Sequence, residues 1–473
     1  MKATSRERKY AKEHFGEVHH TTLNPEGPGV VRIHLIPPKM EGREIEPSVA
    51  IINGQDIIPV GMAWSVLLVE FIEQVNRFSG KEVSREDLDL IMKNTCKAVG
   101  KVYPFVGKKR FREDIYRIMN AFSQVAAGQP VDEEIGYMTM GEYAPYMKAP
   151  HRMDLMVSAM TKQEHWNCNQ TCVHWYAAGQ EQSAERELSA QEWKTIIDKC
   201  RAAGIPQLTF TGGEPTMRED LPELIDYAKW FVTRLNTNGI RLTKEYCKKL
   251  REVSLDSVQI TFYSCEEEVH NRLVGAQRYQ ETVEGIKNAL EAGLNISINT
   301  PLCVWNKNYP ETLKFLKELG VIYVTCSGLI TTGKAAAADS EELQLSYEEL
   351  LKILKESVEF CFANGMEISF TSPGWVKESD CQELGITTPS CGACLSNMAV
   401  TPGGNVVPCQ SWLSGKVLGN MLKDDWKEIW DSEECRTRRE YSAAMQGDCP
   451  LRIRRKEETA AGAQAEKVPE EKL

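Results

Sequence analysis

Between residues 153 and 326 short apolar runs alternate with amphipathic stretches of helical period, and that alternation leaves few folds open. Runs this short, each followed by a helix, are the pattern of βα units laid into a parallel sheet. Strands are expected near 153–159, at Gln207–Thr211, running into Leu235, at Ser257–Ser264, at Asn295–Thr300 and at Val321–Cys326. Helices are expected from about 190, near 219–230 and over 243–253, the first opened by a capping box of Ser189 and Glu192. Six such units make a partial barrel, open on one side. Barrels bind ligands at the carboxyl ends of their strands, so the residues that follow each run carry the functional reading.

After the first run comes Trp166-Asn-Cys-Asn-Gln-Thr-Cys-Val-His-Trp-Tyr176. Two thiols in one short polar loop, Cys168 and Cys172, with His174 and aromatics behind them, point to metal chemistry. The second run ends in Gly212-Gly-Glu-Pro215. Gly212 and Gly213 let a backbone approach a ligand closely, and Glu214 can pair with an ammonium group. The third ends in Asn236-Thr-Asn238-Gly239. On the fourth, Gln259, Thr261 and Ser264 face either a ligand or plain solvent.

The cysteine loop resembles the Cys-x3-Cys-x2-Cys signature of radical S-adenosylmethionine (SAM) enzymes. The resemblance implies a [4Fe–4S] cluster on three thiolates, with the fourth iron open to the amino and carboxylate groups of SAM. Cys168 and Cys172 match the first two positions, and Tyr176 matches the aromatic after the third. The third position is Trp175, whose indole has an N–H donor and no lone pair for iron. Gly212, Gly213, Glu214 and Pro215 look like the motif that holds the methionyl amino group. Asn236, Asn238, Gln259, Ser264, Asn299 and Thr300 are implied contacts of SAM or substrate. His270 and Gly275 resemble a loop of related enzymes, with surface histidine as the plainer reading, so no catalytic residue is singled out. The implied chemistry is reductive cleavage of SAM to a deoxyadenosyl radical, fed by a donor such as flavodoxin or ferredoxin.

A second cysteine group follows a helix at 346–364 and a short strand at 368–371: Cys381, Cys391, Cys394, Cys409, Cys435 and Cys449. Cys394-x9-Gly404-x4-Cys409 resembles the start of the SPASM domain, an auxiliary-cluster module of peptide-modifying radical SAM enzymes. A hairpin turning at Gly403-Gly404 brings distant thiols together. One auxiliary iron–sulfur cluster is expected on Cys391, Cys394, Cys409 and Cys449, with Cys381 and Cys435 as spare thiols and zinc as the second choice of metal.

Ahead of the barrel, short strands within 31–59 and helices near 63–79, 84–102 and 109–126 weakly resemble the winged-helix element that captures leader peptides. The fold class is therefore α/β. A partial (β/α)6 TIM-type barrel (151–340) follows a flexible arm (1–30) and a mainly helical α+β extension (31–150). A small Cys-rich SPASM/twitch-like domain (341–454) and a disordered tail (455–473) complete the chain. A net charge of −11 argues against a nucleic-acid surface. The longest apolar run, Val60 to Ile72, is too short to span a bilayer. Fifteen cysteines without a secretory signal read as ligands and core residues of a cytoplasmic protein, not a disulfide framework. A precursor peptide or protein is the implied substrate, with a tetrapyrrole side chain or turnover-free binding as the alternatives.

Overall fold

A computed structural model describes residues 3–452 apart from short stretches, the longest being 24–30, 130–137, 181–185 and 337–341. The expected disordered tail lies outside the described residues.

The N-terminal third is a sheet with helices packed on it. Strands β1 (His19–Leu23), β2 (Val31–Ile36), β3 (Ser48–Ile52) and β4 (Asp56–Val60) form an antiparallel sheet in that order. Helices α2 (Met62–Asn76), α3 (Arg85–Val102) and α4 (Lys108–Ala126) share one core with it, through Ile33, Leu35, Val69, Ile115 and Phe122. Ser84 caps α3 together with Asp87, as the sequence suggests. The expected flexible arm is corrected for residues 5–23. Helix α1 (Ser5–His14) starts on a Thr4–Glu7 capping box, and Tyr10 and Phe15 are buried in the same core. Tyr10 also donates a 2.9 Å hydrogen bond to Glu70. Polar composition hid a short amphipathic helix with two aromatic anchors.

The barrel strands are β5 (Arg152–Ser158), β6 (Gln207–Gly212), β7 (Val232–Thr237), β8 (Ser257–Thr261), β9 (Ile296–Pro301), β10 (Tyr323–Ser327) and β11 (Glu367–Phe370). They pair in parallel in sequential order. The sequence counted six units and gave the seventh strand to the C-terminal domain. Ile368 and Phe370 are buried and alternate with exposed Glu367 and Ser369, so β11 extends the sheet beyond β10. Helix α5 (Ala190–Ala203) has the Ser189–Glu192 capping box, and Gly204 ends it in the left-handed region. Beyond β5 the sheet continues with β12 (Asn397–Val400), parallel to β5, and the antiparallel strands β13 (Asn405–Val407) and β14 (Gly419–Asn420). The β12–β13 hairpin turns where Gly404 has φ +89°, at the expected glycine pair. Trp426 and Trp430 donate through their indole nitrogens to the carbonyls of Lys148 and Met147, tying the C-terminal segment to the barrel entrance. No described helix is long and apolar enough to cross a membrane.

The N-terminal sheet rests on the amino ends of the barrel strands, opposite the motif-bearing ends. Arg32 and Asp256 form a 2.7 Å ion pair there, with side chains 8% and 18% exposed. His34 Nε2 donates to the Trp230 carbonyl at 3.1 Å, which leaves Nδ1 buried without a partner. Burial holds the His34 pKa down at about 3. The folded state therefore resists a proton that the unfolded chain takes up near 6.5. Stability contributed by neutral His34 is full above about pH 6.5 and falls as pH drops toward 3, by up to about 1.4 kcal/mol per pH unit. We expect His34→Gln to flatten this acid loss in urea unfolding measured between pH 7 and pH 5, and an unchanged pH slope would remove His34 as its source.

Candidate functional site

The site is built at the carboxyl ends of β5, β6 and β7. Gly212 has φ +138°, and a Cβ there would lie 2.5 Å from the Ser158 carbonyl oxygen. Only glycine lets the end of β6 close on the end of β5, and the Gly213 amide then donates to the Ser158 carbonyl at 3.2 Å. The chain turns so that Glu214 points inward, 1% exposed. Its carboxylate accepts from the Thr216 amide (3.1 Å) and hydroxyl (2.5 Å), the Thr237 hydroxyl (2.7 Å) and the Asn238 amide (2.9 Å). Glu214 is thus a clamp between the ends of β6 and β7. Burial pushes its pKa up and these donors oppose the shift.

Asn238 carries the clamp to the cysteine loop. Its side-chain nitrogen donates to Asn169 Oδ1 at 2.6 Å and approaches Cys168 Sγ at 3.9 Å. The Thr171 and Val173 amides donate to the Val274 and Leu273 carbonyls, at the end of the helix Glu267–Val274. The Gly275 φ of +64° leaves room for Thr171, whose carbonyl oxygen would lie 2.6 Å from a Cβ. The Lys334 amide donates to the Trp175 carbonyl from the other side. Burial pushes the Cys168 thiol up to about 12, with Glu214 adding to the shift, and the Cys172 thiol up to about 11.

Of the remaining sequence candidates, Gln259 and Asn299 face the lumen and are joined by Thr325, which accepts from Gln259 at 3.3 Å and donates to Asn299 at 2.9 Å. Asn236 shares that face. Thr300 is corrected. It is fully buried and donates to the Phe262 carbonyl at 2.7 Å, on the face turned to the helices. Ser264 accepts from the Glu266 amide and shapes a turn. His270 is a core histidine among Phe262, Tyr263 and Tyr279, held neutral by burial with its pKa down at about 4. The sequence reading passed over three charged lumen residues, Arg152, Asp154 and Arg234. Charges inside short parallel strands, where apolar runs are the rule, were the signal.

The C-terminal thiols lie close together. Cys394 and Cys435 are neighbours, and both are fully buried. Cys394 has φ +54°, a conformation that side chains other than glycine seldom adopt. Arg439 donates to Cys435 Sγ at 3.6 Å and favours its thiolate. Cys391, Cys409 and Cys449 lie close enough for their charges to act on one another, and Cys409 acts on Cys394 as well. Cys394 thus lies between Cys435 and the other expected ligands, and its amide donates to the Pro408 carbonyl beside Cys409.

A model of the "Radical SAM superfamily" matches residues 167–316, and one of the SPASM "Iron-sulfur cluster-binding domain" matches 391–452. Fe-coproporphyrin III synthase of Methanosarcina barkeri is 32% identical over 188 residues, 38% of this chain and 47% of that protein. The chain thus matches about half the length of that relative. AdoMet-dependent heme synthase of Oleidesulfovibrio alaskensis is 28% identical over 305 residues, 60% of this chain and 77% of that protein. Among solved structures, Streptococcus suis SuiB bound to S-adenosylmethionine superposes with a TM-score of 0.56 at 14% identity, covering 85% of this chain and 92% of its own. SuiB bound to its precursor peptide SuiA gives 0.55 at 12% identity, covering 82% and 86%.

The two domains imply SAM, a [4Fe–4S] cluster and an auxiliary iron–sulfur cluster. At the SAM-site cluster the donors fall short. Trp175 packs against the cluster of Met156, Ala399, Val407 and Leu413, leaving two thiols where the signature has three. At the auxiliary site the expected thiols are the right chemistry for iron. Among the described residues no three His, Cys, Asp or Glu side chains stand in a ready-made metal arrangement, so binding there would couple to local ordering.

Two outcomes test this geometry. Glu214→Gln removes the charge behind four hydrogen bonds, and hydrogen bonds to charged groups are each worth about 1.5–3 kcal/mol. SAM affinity by calorimetry should fall about tenfold to a hundredfold and the melting temperature should drop, with iron content kept; unchanged affinity would leave Glu214 a purely structural clamp. Alanine at Cys391, Cys394, Cys409 or Cys449 should remove auxiliary iron, whereas Cys435→Ala should have a smaller effect. Equal iron loss from Cys435→Ala would add it to the ligand set.

Proposed function

We propose that this chain, which belongs to the radical SAM superfamily and carries a C-terminal SPASM domain, acts on a peptide or protein substrate. Its relatives are enzymes of SAM-dependent chemistry, and we read the chain in that class. The observation that carries the peptide reading is the N-terminal domain. A four-stranded antiparallel sheet followed by three helices leaves β4 at its edge, where the Met138 amide donates to the Ile57 carbonyl. An edge strand of this kind accepts an extended peptide as an added strand. In the same domain the turn after α3 and helix α4 expose large apolar groups, Phe105 at 95% and Tyr116 at 67%. The fold likeness to SuiB reaches into this N-terminal third, whereas the haem synthase matches cover 60% of the chain.

The chain's own residues bind and orient. Glu214 and the β7 turn form the SAM-facing wall, and the Gln259–Thr325–Asn299 chain gives the lumen a polar surface for a substrate. Electrons in this class come from a donor such as flavodoxin or ferredoxin. With Trp175 in the third signature position, two thiols alone do not complete the cluster seat.

A tetrapyrrole substrate is the second reading, favoured by the sequence relatives, which are haem and coproporphyrin enzymes. The two separate in binding. A labelled peptide from a short reading frame beside the gene should bind with micromolar affinity in fluorescence anisotropy. Phe105→Asp with Tyr116→Asp should weaken it at least tenfold without lowering the melting temperature. Tight binding of iron coproporphyrin III with no peptide binding would overturn the peptide reading.

A further inference from the structure

The barrel lumen holds two arginines and one aspartate in close register. Asp154 on β5, Thr209 on β6 and Arg234 on β7 lie in one lateral row of the sheet. Leu155, Leu208, Phe210 and Leu235, one residue away on the same strands, belong to the core under the helices, so this row faces the lumen. Arg152, at the start of β5, forms an ion pair with Asp154, its Nε 2.9 Å from Oδ1 and its Nη2 donating to Oδ2 at 3.3 Å. Asp154 is 1% exposed and is engaged by that pair. The Arg234 guanidinium makes no hydrogen bond or ion pair among the described residues. It feels the repulsion of Arg152 as well as the pull of Asp154.

An arginine cannot shed its proton to escape such a place. A largely desolvated guanidinium left unpaired is costly, and the planar fork suits a carboxylate bidentately. The Thr209 hydroxyl, between the two charges in the row, is buried without a hydrogen-bond partner. Arg234 keeps partial exposure to the lumen, so a ligand can reach it. Above the row, Tyr176 of the cysteine loop is near enough to both Asp154 and Cys409 for their charges to raise its pKa. The row thus lies beneath the loop and beside the C-terminal thiols.

We propose that Arg234, supported by Arg152 and Thr209, is a binding site for a carboxylate of the substrate inside the barrel. This rests on the lumen being the substrate chamber, as the proposed function has it. The carboxylate can come from an acidic side chain of a peptide or from a propionate of a tetrapyrrole, and both have the same anchor. Arg234 would then be a specificity residue, holding the substrate by a group remote from the atom that reacts.

The test uses the full-length chain and paired probes. One arm titrates the neighbouring-gene peptide in its natural acidic form against versions with single Glu→Gln or Asp→Asn changes. The other titrates iron coproporphyrin III by absorbance. In at least one arm Arg234→Gln should weaken binding tenfold or more, with Arg234→Lys intermediate. In the peptide arm one amide peptide should already bind the unsubstituted chain about as weakly as the acid binds the variant. The ligand-free Arg234→Gln chain should melt no lower than the parent, because it loses an unpaired charge. Equal binding by parent and variant overturns the proposal and leaves the functional reading intact. A lower melting temperature, with acid and amide weakened alike, makes Arg234 structural and also overturns it. Binding of neither probe by the parent overturns both.

Discussion

The Glu214 carboxylate is the interaction on which the site depends. A buried carboxylate is tolerated only when its oxygens are satisfied, and here four donors from two strand ends converge on it. By accepting from the Asn238 amide it sets the β7 turn, and Asn238 in turn reaches the Cys168 loop through Asn169. One acid therefore registers three segments far apart in sequence. The close approach that permits this is the Gly212 contact with Ser158, where any side chain would collide.

Around that hub the molecule is layered by function. The N-terminal sheet is fastened to the amino ends of the barrel strands through Arg32–Asp256 and His34–Trp230. The cysteine loop and the SPASM-type hairpin meet at the opposite end, where the Gln180 side chain donates to the Ser411 carbonyl and accepts from the Leu413 amide. A peptide held at the β4 edge would have to pass along the barrel to reach the lumen. Barrel strands of four to seven residues set that path at roughly 13–23 Å.

Much of this was legible in the sequence because local rules and global fold agree. Capping boxes placed α3 and α5, and glycine pairs placed the β6 end and the β12–β13 turn. What escaped did so for physical reasons. Strand β11 is only four residues long and looked like part of the following domain until its pairing with β10 was seen. Thr300 has the chemistry of a ligand contact, but strand parity turns it to the helices. Cys435 reads as a spare thiol in the sequence, yet the fold brings it beside Cys394 from a helix forty residues downstream, a proximity no local pattern carries. Arg234 became meaningful only when the register set it beside Asp154.

Trp175 stands where the superfamily signature has its third thiol, and its indole joins the loop to the apolar cluster around Met156 and Leu413. The Glu214–Asn238–Asn169 framework is thus in place, while the loop lacks the third thiol of the signature. The most direct measurement is Mössbauer spectroscopy of the chain and its Trp175→Cys variant, each reconstituted anaerobically with 57Fe, before and after adding SAM. The account predicts auxiliary-cluster iron alone in the chain as it stands, and a second, SAM-responsive [4Fe–4S] signal in the variant. A full SAM-responsive cluster in the unsubstituted chain would contradict it.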